Sequence, residues 1–244
     1  MEDIVMNLNY ACKPNGLYIM SKADFDPLAM QILNEKQPRV LERAMPLDLD
    51  DLAENAFPLT CYDAILSKDG SILGLITFVD QNLPIYTDEL NECSLLASEG
   101  TILIDKRLRN IPTRYRFTKA HEISHWILHR RFYSPYNMPY NFRNTGSSYI
   151  ANRQEAVGRK NPVEAKTDFE WSEWQSDCLS AALLMPACTF IPTAQHFISM
   201  LEDTTGTLIY GSKEARSITS EIARIYEVSP RSVTIRLSTF GFFK

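Results

Sequence analysis

No run of apolar residues in this 244-residue chain approaches the roughly 20 needed to span a bilayer, so no membrane-spanning helix is expected. The first residues, "MEDIVMNLNYACKPNG", have neither a basic n-region nor an apolar h-region, and no signal peptide is expected. CxxC pairs are absent too. The cysteines are Cys12, Cys61, Cys93, Cys178 and Cys188, an odd number at wide spacings. That excludes a disulfide framework and points to reduced thiols in a cytoplasm, packed as small buried hydrophobes. An excess of positive charge is lacking as well. The net charge of −5 gives no chain-wide basic field for nucleic acid. Repeats and low-complexity tracts are missing. What remains, 45% hydrophobic and 23% charged residues, describes a soluble globular chain long enough for one large domain or two small ones.

Charge is unevenly spread. The run "DKRLRNIPTRYRFTK" sets Lys106, Arg107, Arg109, Arg114, Arg116 and Lys119 against Asp105 alone. It reads either as a solvated face or as a rim that steers an acidic group. Before it, a helix is expected from Asp26 to Lys36 with Pro27 at its first position. A short acidic helix with Asp48 as N-cap follows. "LTCYDAIL", "SILGLITFV", "LPIYT" and "GTILID" are β-rich runs separated by turn chemistry, and residues 88–99 between them form an acidic connector. A helix from Thr113 to Arg131 comes next, with Phe117, Ala120, Ser124, Ile127 and Leu128 on its apolar face. A long irregular stretch, 132–166, separates it from a second strong helix, Asp168 to Met185. Thr167 and Glu170 cap that helix at capping-box spacing, and Pro186 stops it. Helices near Ile191–Leu201, Lys213–Tyr226 and Pro230–Thr239 complete an α+β chain.

Three of the four histidines fall within nine residues of "RFTKAHEISHWILHRRF". His121 and His125 are four apart, so on a helix they leave the same face one turn apart and can grip one metal ion. Neutral imidazole suits zinc. Glu122 lies about 100° round the helix, placed to take a proton from a metal-activated water without binding the metal itself. His129 is eight residues beyond His121, about 12 Å along the axis, too far to share one tetrahedral ion from an unbroken helix. It is expected to cap the helix end or to pack on the second helix. The third ligand must then come from elsewhere. In "FEWSEWQSDCLSAALLMP", Glu173 and Asp177 are again four apart. Glu173 can ligate, and Asp177 can accept the free N–H of a ligating histidine. Glu170 is a rival ligand already occupied by the capping box.

"RFTKAHEISHWILH" followed by "EWQSDCLSAALLMP" resembles the ImmA/IrrE family of zinc metallopeptidases, over about residues 25 to 240 and most densely from 114 to 186. The resemblance implies His121, His125 and Glu173 as ligands of one Zn2+ and Glu122 as the base. It also implies a zincin-like fold, with a small twisted sheet packed on the HExxH helix and a helical C-terminal part. Ser176 and Leu179 depart from the family's usual Ala and aromatic residue. An edge strand, 72–79 or 83–87, would hold substrate by β-addition. The catalytic domain would span 1–201, made of helices and sheet 1–111, HExxH helix 112–132, variable loop 133–167 and third-ligand helix 168–186. Residues 202–244 would be a helix-turn-helix-like extension packed on it.

The activity so implied is endopeptidase cleavage of a cytoplasmic protein, a repressor-type regulator with a helix-turn-helix being the expected substrate. Tyr133, Tyr136, Tyr140, Tyr210 and the basic run are the candidates for oxyanion support. His and carboxylate ligands also suit iron or manganese. Two other classes are weighed against this one. One is a peptidase-like partner protein with latent activity, of toxin–antitoxin or phage type. The other is a DNA-binding regulator working through "EIARIYEVSPRSVTIRL", although that tail offers few donors for base edges.

Overall fold

The computed structural model describes residues 8–134, 137, 149–153, 167–201 and 208–244. In chain order its elements are α1 (Phe25–Lys36), α2 (Arg39–Glu42), α3 (Leu49–Asp51), β1 (Thr60–Ala64), β2 (Ile72–Thr77), β3 (Gln81–Tyr86), β4 (Glu92–Ala97), β5 (Thr101–Asp105), α4 (Pro112–His129), β6 (Tyr149–Arg153), α5 (Asp168–Leu184), α6 (Ala187–Ser199), α7 (Lys213–Tyr226) and α8 (Pro230–Thr239). The class is α+β. Among the described residues no single helix is long and apolar enough to cross a membrane.

Two sheets form, a four-stranded one in the order β1-β5-β2-β6 and a β3-β4 hairpin. β1 runs parallel to β5, while β2 is antiparallel to both β5 and β6. β5, "TILID", is buried along its whole length, because helix covers one face of the sheet and the hairpin covers the other. Its period-2 alternation sends Ile102 and Ile104 into the main core, and Leu103 into a second cluster with Leu66, Leu75, Leu83 and Ala97 under the hairpin. On β2, Gly74 faces Thr118 and Glu122 of α4, whereas Leu75 faces the hairpin cluster.

Several local expectations change. Pro27 stands at the third position of α1, not the first, because the helix starts at Phe25. Asp48 does cap its helix, accepting from the N–H groups of Asp50 and Asp51, and a π-helical turn follows at Leu52–Ala56. The acidic connector 88–99 contains strand β4, held by pairing with β3 from Gln81↔Ala97 to Tyr86↔Glu92. Only its Leu95 and Ala97 meet the hairpin core, so its exposed acidic half hides the strand pattern. The irregular stretch after α4 contains β6. β6 covers the outer side of β2, so β2 is an interior strand of its sheet rather than an edge, and β3 belongs to the separate hairpin. The other residues of the 133–167 loop, apart from 133, 134, 137 and 167, and the 202 boundary lie outside the described residues.

The cysteines also differ from expectation. All five are free, but Cys93 and Cys188 are exposed and Cys12, Cys61 and Cys178 only half-buried. The basic run is neither free rim nor solvated face throughout. Lys106 pairs with Asp88, Arg107 with Asp105, and Arg109 with Asp63. Lys119 is buried and pairs with Asp50, and Arg116 donates to the Leu47 carbonyl at 2.8 Å. At the other end of the chain, Arg236 of α8 donates to the Met185 carbonyl at the end of α5 and pairs with Asp26 of α1. This pins the last helices to the core that holds the histidine helix.

Candidate metal centre

Helix α4 begins with Pro112 at its first position, where a missing N–H costs nothing. It ends at His129, two residues short of expectation. The face that carries the histidines is buried. His121 is 1% exposed, and Glu122, His125 and His129 are 0%. What buries them is α5, which starts from the capping box of Thr167 and Glu170 and lies along α4. Glu170 is therefore occupied by the cap, as its spacing requires, and Glu173 is 2% exposed.

The side chains of His121, His125 and Glu173 converge. Their candidate ligand atoms all lie within 4.8 Å of one another. The two Nε2 atoms are 2.9 Å apart. Glu173 Oε2 lies 3.4 Å from His121 Nε2, and Oε1 lies 3.2 Å from His125 Nε2. Spacings of this size suit donor atoms that each sit about 2.0–2.1 Å from one shared ion. Although the imidazoles are near, neither Glu173 oxygen makes a hydrogen bond, nor does either oxygen of Glu122. Glu173 is compensated only by its pairing with the two imidazoles, and the two buried oxygens of Glu122 have no donor, which is costly in a dry interior. A cation bound by Glu173 beside Glu122 resolves that cost. This group can therefore hold a metal ion.

The supports behind the ligands are unlike each other. His121 Nδ1 is 3.0 Å from Asp177 Oδ1, as the four-residue spacing of Glu173 and Asp177 requires. His125 has no carboxylate behind it. Its Nδ1 is 3.0 Å from His129 Nδ1, and His129 Nε2 is 2.9 Å from Gln175 Oε1. His129 thus packs on the second helix rather than capping the first. Lower on the same interface, Ser124 Oγ meets Ser180 Oγ at 3.0 Å. These small residues let the helices approach closely.

Burial opposes charge on His121, but Asp177 and Glu173 outweigh it and hold its pKa well above the ordinary value. Burial lowers His125 to about 4, against the pull of Glu173, and puts His129 well below the ordinary value. Burial would raise Glu173, yet His125 and His121 bring it below the usual carboxylate range. Burial pushes Glu122 up to about 8, against the pull of His121. A bound cation nearby would draw it down again.

Of the tyrosines named from the sequence, Tyr133 is buried with its hydroxyl 3.3 Å from Ser172 Oγ, and Tyr210 is exposed. Tyr136 and Tyr140 lie outside the described residues. Sequence reasoning missed two residues. Gly74 brings the β2 backbone against Glu122. Its signal was a glycine in mid-strand, which marks close approach or a bulge, and the register does shift between Ile72 and Gly74. Gln175 carries no motif that would have marked it. No family model and no curated protein matches the chain.

Proposed function

We propose that this chain is a zinc-dependent endopeptidase with a zincin-like fold, of the ImmA/IrrE type that its two helix motifs resemble. The observation that carries the proposal is the meeting of His121, His125 and Glu173 from two helices at one buried point, beside a Glu122 carboxylate with no protein donor. A structural role for these residues alone would leave both buried oxygens of Glu122 without a partner.

His121, His125 and Glu173 would hold the ion, which when bound supplies a water of lowered pKa and polarises a carbonyl. Glu122 adjoins this point without being one of the three ligands. Its carboxylate accepts the proton of the attacking water and later delivers it to the leaving amine. Asp177 accepts from His121 Nδ1, which keeps the Nε2 lone pair turned to the ion. The β2 backbone at Gly74 limits how far Glu122 can swing. A protein substrate, with a repressor-type regulator in a cytoplasm as the specific expectation, rests on the motif resemblance.

The test is Glu122→Gln, which keeps the shape of the side chain and removes the base. Zinc content by elemental analysis should stay at one ion per chain. Hydrolysis of an unfolded protein substrate should fall by about 10²–10⁴-fold. Equal hydrolysis by the variant would refute this mechanism, and wild-type protein purified without metal that takes up none would refute the metal centre.

A further inference from the structure

His125 is supported by a chain of hydrogen bonds whose directions follow from its one fixed end. The chain starts at the Tyr18 carbonyl, which can only accept. Gln175 therefore presents its amide nitrogen there, Nε2 to oxygen at 2.7 Å, and turns its Oε1 to His129 Nε2, at 2.9 Å. An amide oxygen also only accepts, so the proton of His129 sits on Nε2. A buried imidazole with no carboxylate in hydrogen-bond reach is neutral, which leaves His129 Nδ1 with a lone pair. That lone pair lies 3.0 Å from His125 Nδ1. Ser176 Oγ, at 3.5 Å, is the more distant neighbour of the same nitrogen. His125 must then carry its own proton on Nδ1 and keep Nε2 bare. The bare Nε2 is the atom 2.9 Å from His121 Nε2 and 3.2 Å from Glu173 Oε1.

We propose that His129 is a positioning residue. Held by Gln175 on the Tyr18 carbonyl, it fixes His125 in the Nδ1–H tautomer and aims its unprotonated Nε2 at the metal point. The proposal rests on the metal-centre reading above and adds a second orienting device of a different kind. His121 leans on a carboxylate, Asp177, whose side chain is 21% exposed. His125 leans on a neutral relay in which His129 and Gln175 are both 0% exposed. One ligand is thus set by charge near solvent and the other by proton position in a dry interior. Ligand-orienting partners of this kind are worth about 10–100-fold in metal affinity.

Nitrogen-15 NMR of metal-free wild-type protein reads the tautomers directly, since the chain has only four histidines to assign. His125 should be protonated on Nδ1 and His129 on Nε2. The opposite tautomer at His125 overturns the relay, whether or not the protein binds zinc. In the second arm, His129→Phe keeps ring volume but removes the acceptor. Zinc affinity, measured by competition with a chromophoric chelator, should weaken by about 10–100-fold. His129→Gln, which restores an accepting oxygen and a donating nitrogen, should recover most of it. If His129→Phe does not fold, Gln175→Met takes its place, and a mixed His125 tautomer is expected. A folded His129→Phe protein within twofold of wild-type affinity overturns the proposal. Wild-type protein that takes up no zinc refutes the metal-centre reading instead, with the tautomers still testing the relay.

Discussion

Adding one carbon at Gly74 tests the closest contact between the sheet and the histidine helix. A Cβ there would lie 2.6 Å from Thr118 Cγ2, 2.9 Å from Glu122 Oε1 and 3.3 Å from Glu122 Cγ. Non-bonded carbons settle at about 3.5–4.0 Å, so the Thr118 methyl would be about 1 Å too near. Gly74 does not have positive φ, and the cost of Gly74→Ala is therefore steric. Overpacking of this kind costs about 1–3 kcal/mol. In a chain of this size each kcal/mol lowers Tm by about 2–4 °C. Thr118→Ser removes only the offending methyl, at a cost of about 0.8 kcal/mol for the buried carbon. The two changes should not add, and the double variant should recover at least about 0.5 kcal/mol relative to the sum. Glu122 Oε1 still meets the new carbon in that double variant. Stability should return while the carboxylate, 2.9 Å from the new carbon, stays displaced by a few tenths of an ångström, so the rate should fall by less than the about 10²-fold expected of a 1 Å misplacement. Urea unfolding of the four proteins measures the first effect and hydrolysis of an unfolded protein substrate the second. Additive losses, or an unchanged unfolding midpoint in Gly74→Ala, would refute the packing of β2 on α4 at this point.

Two other perturbations probe the scaffold. Arg236→Met leaves the buried Met185 carbonyl without the donor that reaches it from α8. It should cost about 1–3 kcal/mol in urea unfolding and expose α7 and α8 to limited proteolysis, whereas a wild-type digestion pattern would show that the pin does not hold the last helices. Thiol labelling tests the cysteines. Burial pushes the Cys178 thiol up to about 12, and the thiolate is the reactive form. Its thiolate fraction thus rises about tenfold per pH unit through pH 8–10. Exposed Cys93 and Cys188 should label first with a maleimide at pH 8, and Cys178 only slowly, faster as pH rises. Prompt labelling of Cys178 in the folded protein would contradict its environment.

The side chains that share each helix face of the candidate metal centre were legible because helical spacing is local geometry. Four-residue steps put His121 with His125 and Glu173 with Asp177 on single faces whatever surrounds them. The same arithmetic excluded His129 as a third ligand to one ion. One helix start was readable for the same reason, since Thr167 with Glu170 closes a capping box, whereas α1 starts before Pro27 and α4 stops two residues early. Strand β4 was not readable, because its partner rather than its own pattern holds it. β6 sits within a stretch whose composition reads as loop, and its pairing with β2 is non-local.

The sequence by itself therefore determined which side chains share a face and how far apart they sit along each helix, because those quantities depend on backbone geometry alone. Only the tertiary structure decided that the two faces meet, with His121, His125 and Glu173 at one dry point. It also decided that His129 stands behind His125 rather than at a helix cap, and that Gly74 presses the sheet against Glu122. Those facts depend on how α4, α5 and β2 pack. Packing is settled by the burial of residues far apart in the chain, which no local spacing encodes.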